Sequence, residues 1–186
     1  MFIVFEGIDG CGKSTQARLL AEWLEKEGHC VLLTAEPTRG RIGLFIREIL
    51  SGKEKVDPKT LALLFTADRY EHLMNEIAPA LSAGNFVVSE RYYHSTIAYQ
   101  SAQGVDSEWL FELNCFALKP DVTFFLDVKP EEAMERKEGR EIFEERDFLE
   151  KVYKEYLRFV DVERIDGEGM PEIVCEKVKS IVSKRV

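Results

Sequence analysis

The chain has 186 residues, a net charge of −9 and 45% hydrophobic residues, enough apolar material at this length for one domain with a substantial core. The acidic balance argues against a nucleic-acid partner, and no apolar run reaches the roughly 20 residues of a membrane span. The four cysteines, Cys11, Cys30, Cys115 and Cys175, lie far apart without a C-x-x-C pair, which argues against a metal site or a disulfide framework.

In chain order, Phe2–Phe5 reads as a buried strand. It follows Met1 with no basic segment, so it does not read as a signal peptide, and a cytoplasmic location is expected. Gly7-Ile8-Asp9-Gly10-Cys11-Gly12-Lys13-Ser14 then fits G-x-x-x-x-G-K-[ST] without a mismatch. A helix follows, with Ala17, Leu20, Ala21 and Leu24 at i, i+3, i+4 and i+7, and Gly28 ends it. Residues 30–34 read as the second strand, followed by Glu36-Pro37-Thr38-Arg39-Gly40 and Arg47. Asp57-Pro58 is an N-cap with proline at the first helical position. It opens a helix running to about Leu81, carrying Leu63-Leu64-Phe65-Thr66-Ala67-Asp68-Arg69-Tyr70 and weakened at Pro79.

Residues 86–88 read as the third strand, followed by Ser89-Glu90-Arg91-Tyr92-Tyr93-His94-Ser95-Thr96-Ile97-Ala98-Tyr99-Gln100, and residues 122–126 as the fourth. From Glu131 to Glu155, ten acids and six bases fall in 25 residues. Such a run forms either a solvated helical pair laced with i,i+4 ion pairs or a lid over phosphates, using Arg136, Arg140 or Arg146 and turning at Gly139. Residues 160–165 are a weaker fifth strand candidate. Met170-Pro171 opens a last helix with Val174, Val178 and Ile181 on one face. Alternating strands and helices without repeats or linkers predict a single domain over 1–186, built on the P-loop that the glycine motif marks. Its expected fold is α/β, a five-stranded parallel sheet with helices on both faces and a short helical lid over about 131–150.

A strand, a glycine loop and a helix N-terminus together make a polyphosphate site. The candidate nucleotide contacts are Gly7, Ile8, Asp9, Gly10, Cys11, Gly12, Lys13, Ser14 and Thr15, with Lys13 supplying charge and Ser14 a hydroxyl for Mg²⁺. The chain lacks the N/T-K-x-D of guanine-reading switches, and its D-x-x-G, Asp166 to Gly169, falls near the end. A motor or AAA-type ATPase is usually longer. A small phosphotransferase with a second, acceptor site remains. The loops after strands 1, 2 and 3 share the carboxyl edge of a parallel sheet, so the glycine, Glu36 and Glu90 clusters are expected to meet there.

With the phosphate loop, E-P-T-x-G at Glu36–Gly40, L-F-x-A-D-R at Leu64–Arg69, E-R-Y at Glu90–Tyr92 and S-x-x-A-Y-Q at Ser95–Gln100 in this order and spacing, the chain resembles the thymidylate kinase family over essentially its whole length. The resemblance implies transfer of a phosphoryl group from ATP to dTMP, a requirement for Mg²⁺, and a homodimer. It implies that Lys13 and Ser14 serve ATP and Mg²⁺, that Glu90 orients the metal through water, and that Asp9 accepts from the deoxyribose 3′-OH. It implies that Phe65 stacks on thymine, Arg69 donates to O4, Gln100 touches the base edge and Tyr99 crowds the sugar 2′ position. Arg91, with Arg47 and Arg39, would hold the acceptor phosphate in a pocket that includes Glu36, Pro37 and Ser95, while Arg140 or Arg136 reaches the transferred group.

The chain also departs from the family pattern. Gly10 stands where some members carry arginine, which points to a catalytic arginine in the lid, yet the lid reads Arg140-Glu141-Ile142-Phe143-Glu144 rather than D-R-[FYI]-E. Glu90 replaces the usual aspartate, and Thr38-Arg39-Gly40 replaces G-G-T. Adenine contacts are expected near Asp166 to Met170. The competing readings are a kinase of another nucleotide or of a deoxynucleoside, and a catalytically silent nucleotide-binding regulator.

Overall fold

Five strands, β1 (Phe2–Glu6), β2 (Val31–Ala35), β3 (Phe86–Glu90), β4 (Val122–Asp127) and β5 (Glu163–Asp166), form one parallel sheet in the order β2-β3-β1-β4-β5. The computed structural model describes residues 1–136 and 142–185, with side chains of the second stretch from residue 146 onward. The helices are α1 (Lys13–Lys26), α2 (Arg41–Leu50), α3 (Pro58–His72), α4 (Ala78–Ser82), α5 (Tyr93–Ala102), α6 (Ser107–Leu113), α7 (Pro130–Glu135), α8 (Ile142–Tyr156) and α9 (Pro171–Val182). Among the described residues, none is long and apolar enough to cross a membrane.

Both faces of the central strands β1, β3 and β4 are buried, as continuous apolar strands require. Ile3 and Phe5 of β1 pack with Leu20 and Leu24 of α1, Val152 of α8 and Val174 and Val178 of α9. Phe2 and Val4 point the other way, onto Leu73, Ile77 and Tyr92. Each such buried side chain contributes about 1.5–3 kcal/mol. The chain leaves β1 toward β2 and leaves β4 toward β5, so the connections part between β1 and β4. Their carboxyl ends therefore open a crevice.

Local signals decide the ends of the helices. The Gly28 N–H bonds Glu25 O at 3.0 Å and the His29 N–H bonds Leu24 O at 3.1 Å, closing α1 in a Schellman turn with Gly28 left-handed. Asp57 accepts from the N–H groups of Lys59 and Thr60 at 3.0 and 3.1 Å, opening α3. The expected single helix to Leu81 is interrupted by a π-helical turn at Leu73–Ile77 ahead of Pro79. Proline lacks an N–H and crowds the carbonyl four residues back, and the wider turn absorbs this. The fifth strand begins at Glu163 rather than residue 160, because only from there does the chain pair with β4, and Val160 is 98% exposed.

Candidate active site

The loop after β1 turns into α1 through Gly12, the left-handed N-cap. Lys13 is buried with its ammonium turned back on the loop, donating to Ile8 O at 2.8 Å and lying 3.7 Å from Cys11 Sγ. Burial and then the Arg91 charge lower its pKa. The loop, Lys13, Ser14 and Thr15 line a cavity of about 540 Å³ with Glu90, Arg136, Gly167 and Gly169. Gly167 and Gly169 fall within the stretch expected near the adenine. Gly10 lies against α7, where any side chain would strike the backbone.

A second cavity, of about 280 Å³, lies on the other side of Asp9, which lines both. Its wall includes Glu36, Pro37, Phe65, Arg69, Arg91, Ser95, Tyr99 and Gln100, so the structure gathers the acceptor-site residues expected from three separate loops and helices. Arg39 and Arg47 are not on that wall. They line an exposed groove that shares Ser14, Thr15 and Glu90 with the first cavity, and Arg47 donates to Pro37 O.

Arg91 follows β3 with a left-handed φ of 70°. Its N–H bonds Phe5 O at 2.9 Å, and the Ser89 hydroxyl donates to its carbonyl at 2.9 Å, holding a conformation that a non-glycine residue rarely adopts. The guanidinium pairs with Asp9, donates to Ser95 Oγ at 2.8 Å and lies 5.1 Å from the Tyr99 ring centre. The Tyr99 hydroxyl accepts from the Asp9 N–H at 3.1 Å, and burial pushes its pKa up, so the phenol stays neutral.

Arg69 is wholly buried. One Nη bonds Glu36 at 2.7 Å and Thr96 Oγ1 at 3.0 Å, and the other donates to Asn114 Oδ1 at 2.5 Å. The Tyr92 ring lies beneath it at 5.3 Å. Glu36 is held in turn by His72, whose other ring nitrogen meets Thr34 Oγ1 at 2.7 Å. Four polar atoms of the cavity residues are buried without a hydrogen-bond partner among the described residues: Glu36 Oε2, which is ion-paired with Arg69, Arg69 Nε, the Tyr92 hydroxyl and Gln100 Oε1. Asp68, next to Arg69 in the helix, turns to different partners. It is buried and accepts from the Thr38 N–H and hydroxyl at 2.7 and 2.5 Å, tying down the loop after β2.

Of the three arginines of the charged segment, Arg136 lines the first cavity and donates to Gly167 O at 3.2 Å, while also forming an i,i+4 ion pair with Glu132 at 2.5 Å. Arg146 is engaged by Glu131 and Glu150 at 2.6 and 3.4 Å, as a solvated helical pair predicts. Arg140 lies outside the described residues. Sequence reasoning missed Glu6, Asn114 and Tyr156, and quoted Thr96 within its cluster without a role. Glu6 alone carried a signal, a carboxylate ending a strand buried on both faces.

The thymidylate kinase family model matches residues 5–177. A probable thymidylate kinase of Thermococcus kodakarensis is 48% identical over 87% of this chain and 85% of the relative. One of Methanocaldococcus jannaschii is 48% identical over 87% and 82%, and one of Thermococcus gammatolerans is 40% identical over 100% and 97%. With a glycine loop of the phosphate-binding pattern and two cavities that share Asp9, the chain belongs to the thymidylate kinase family.

Proposed function

We infer that this protein is a dTMP kinase, transferring the γ-phosphoryl group of ATP to dTMP to give dTDP and ADP. The observation that supports the acceptor assignment is a cavity lined by Phe65, Arg69 and Gln100, whose residues include an unpartnered donor at Arg69 Nε and an unpartnered acceptor at Gln100 Oε1. Thymine offers the complement, an acceptor at O4 and a donor at N3. Cytosine offers the reverse, and each mismatch leaves a buried polar group unpaired at about 1–3 kcal/mol.

The phosphate of dTMP is already largely ionised near neutrality, so no general base is needed. The work is to bring two polyanions together in line and stabilise a loose transition state. Arg91 holds the acceptor phosphate, with Arg47 and Arg39 adding positive field from the adjoining groove. Asp9 takes the sugar 3′-OH and Tyr99 crowds the 2′ position. Lys13 leaves Ile8 O for the outer phosphates of ATP, and Arg136 or Arg140 completes the charge around the transferred group from a lid over about 131–150. Such an arginine is worth ~10³–10⁵ in rate in related chemistry.

Mg²⁺ fits the donor set. The exposed Ser14 hydroxyl and the Glu90 carboxylate line the same cavity, and a hydrated Mg²⁺ needs only one or two protein ligands beside phosphates. When bound, it neutralises phosphate charge. We further infer a cytoplasmic homodimer. Four free thiols, two of them exposed, suit a reducing compartment. Leu63, Tyr70 and Met74 form an exposed apolar stripe at i, i+7 and i+11 along α3 and its π turn, a face for a second copy.

Incubating the protein with ATP, Mg²⁺ and each nucleoside monophosphate in turn tests the reading through the ADP formed. Turnover is expected to be strongest with dTMP, weaker with dUMP, whose missing methyl costs about 1–3 kcal/mol, and near zero with dCMP. Equal turnover of dCMP overturns the base assignments, and binding without turnover leaves a regulator.

A further inference from the structure

Glu6 is wholly buried at the end of β1, where an unpartnered carboxylate would be severely destabilising. Four donors surround it. Oε1 accepts from the N–H groups of Tyr92 and Ser95 at 2.8 and 3.1 Å. Oε2 accepts from the hydroxyls of Ser95 and Tyr156 at 2.5 and 2.9 Å.

The two N–H groups belong to the N-cap and third residue of α5, the pair that a capping box satisfies within one helix. Tyr92 makes no side-chain cap of its own, so a carboxylate from the neighbouring strand does it. Because Arg91 immediately precedes that cap, fixing the start of α5 fixes the left-handed bend that aims its side chain. A carboxylate only accepts, so the Ser95 proton is committed to Glu6 and the Ser95 oxygen is left to face Arg91 Nη1 at 2.8 Å.

We propose that Glu6 is a positioning residue for the acceptor phosphate, holding the Arg91 guanidinium in place through the Ser95 hydroxyl and the capped start of α5. The proposal rests on the reading that Arg91 holds that phosphate.

The test measures affinity for dTMP, thymidine and an ATP analogue in the intact protein, its Glu6→Gln and Arg91→Ala variants, and the double variant. Thymidine occupies the same cavity without a phosphate, so the ratio of dTMP to thymidine affinity isolates Arg91. Glu6→Gln is expected to lower that ratio about tenfold, with thymidine and ATP-analogue binding unchanged and no further loss when Arg91 is already alanine. Equal weakening of dTMP and thymidine, or losses that add in the double variant, shows a merely structural carboxylate and overturns the proposal. Should Arg91→Ala leave the ratio unchanged, the reading of Arg91 falls and the proposal with it. Should Arg91→Ala lower it while Glu6→Gln does not, the proposal alone falls. If Glu6→Gln does not fold, Ser95→Ala carries the same comparison, since it deletes the link to Arg91 and keeps both capped amides.

Discussion

Gly10 lies so close to Ala133 that a Cβ on it would sit 2.2 Å from the Ala133 carbonyl oxygen. Its φ of 88° is also one that side chains resist. The glycine thus lets α7 rest on the phosphate loop, and Arg136, which follows α7, gains access to the phosphate cavity. We expect Gly10→Ala to displace α7, lowering kcat at least tenfold and stability by at least about 1–2 kcal/mol. Steady-state kinetics and thermal unfolding check this. Gly10→Arg is expected to be worse, because the obstacle is backbone rather than a movable side chain.

Arg136 and Arg146 are both ion-paired, Arg136 with Glu132, and should separate by whether they line the cavity. Arg146 is bound in surface ion pairs of the kind worth about 0.2–1 kcal/mol. Arg146→Ala is therefore expected to leave kcat within about twofold. Arg136→Ala removes a cation that lines the phosphate cavity, and kcat should fall at least tenfold with ATP-analogue affinity nearly unchanged. Arg140→Ala run beside it tells which of the two carries more of the transition-state charge. An unchanged kcat removes that arginine from the machinery.

The sheet and the phosphate loop were legible because their signals are local. Apolar runs mark the strands, Gly28 and Asp57-Pro58 mark helix ends, and the glycine motif sits between a strand and a helix. Arg69, Arg91, Tyr99 and Gln100 were legible only as members of an ordered set, since each alone reads as a core or surface residue. What holds them was hidden. Asn114 meets Arg69 across 45 positions, and Tyr156 meets Glu6 across 150. Contacts of that separation leave no period or spacing in a sequence. The split of Asp68 from Arg69 was equally invisible, because adjacent helical residues point about 100° apart and tertiary partners decide what each one meets.

The His94–Asp161 pair offers a pH test of the fold. His94 Nε2 meets Asp161 Oδ1 at 3.2 Å, and this bond, more than any other influence, lowers the Asp161 pKa below 3.8, against the opposing effect of partial burial. A carboxylate depressed in the folded state adds stability above its unfolded pKa and loses it as pH falls through the folded one. Asp161→Asn should therefore melt below the parent protein at neutral pH, with the gap closing as pH drops below about 4. A gap that persists unchanged at low pH would mean that packing, not charge, is what Asp161 contributes.

Asn114 allows the thymine assignment to be tested without touching the ligand. Its Oδ1 accepts from Arg69 Nη1 at 2.5 Å, while its Nδ2 donates to Leu110 O at 2.8 Å, so the amide orientation is fixed from both ends. Arg69 is buried, and Asn114→Ala leaves one of its donors unpaired, a loss of about 1–3 kcal/mol that the guanidinium can relieve only by turning. Turning moves Nε away from O4. The KM for dTMP should therefore rise roughly five- to 150-fold, the factor that this energy implies, while ATP-analogue affinity holds. Selectivity for dTMP over dCMP should fall with it, because an arginine free to turn no longer presents a fixed donor to the exocyclic position. If KM rises while the dTMP to dCMP ratio holds, Asn114 supports the pocket's shape and base choice resides in Gln100 instead.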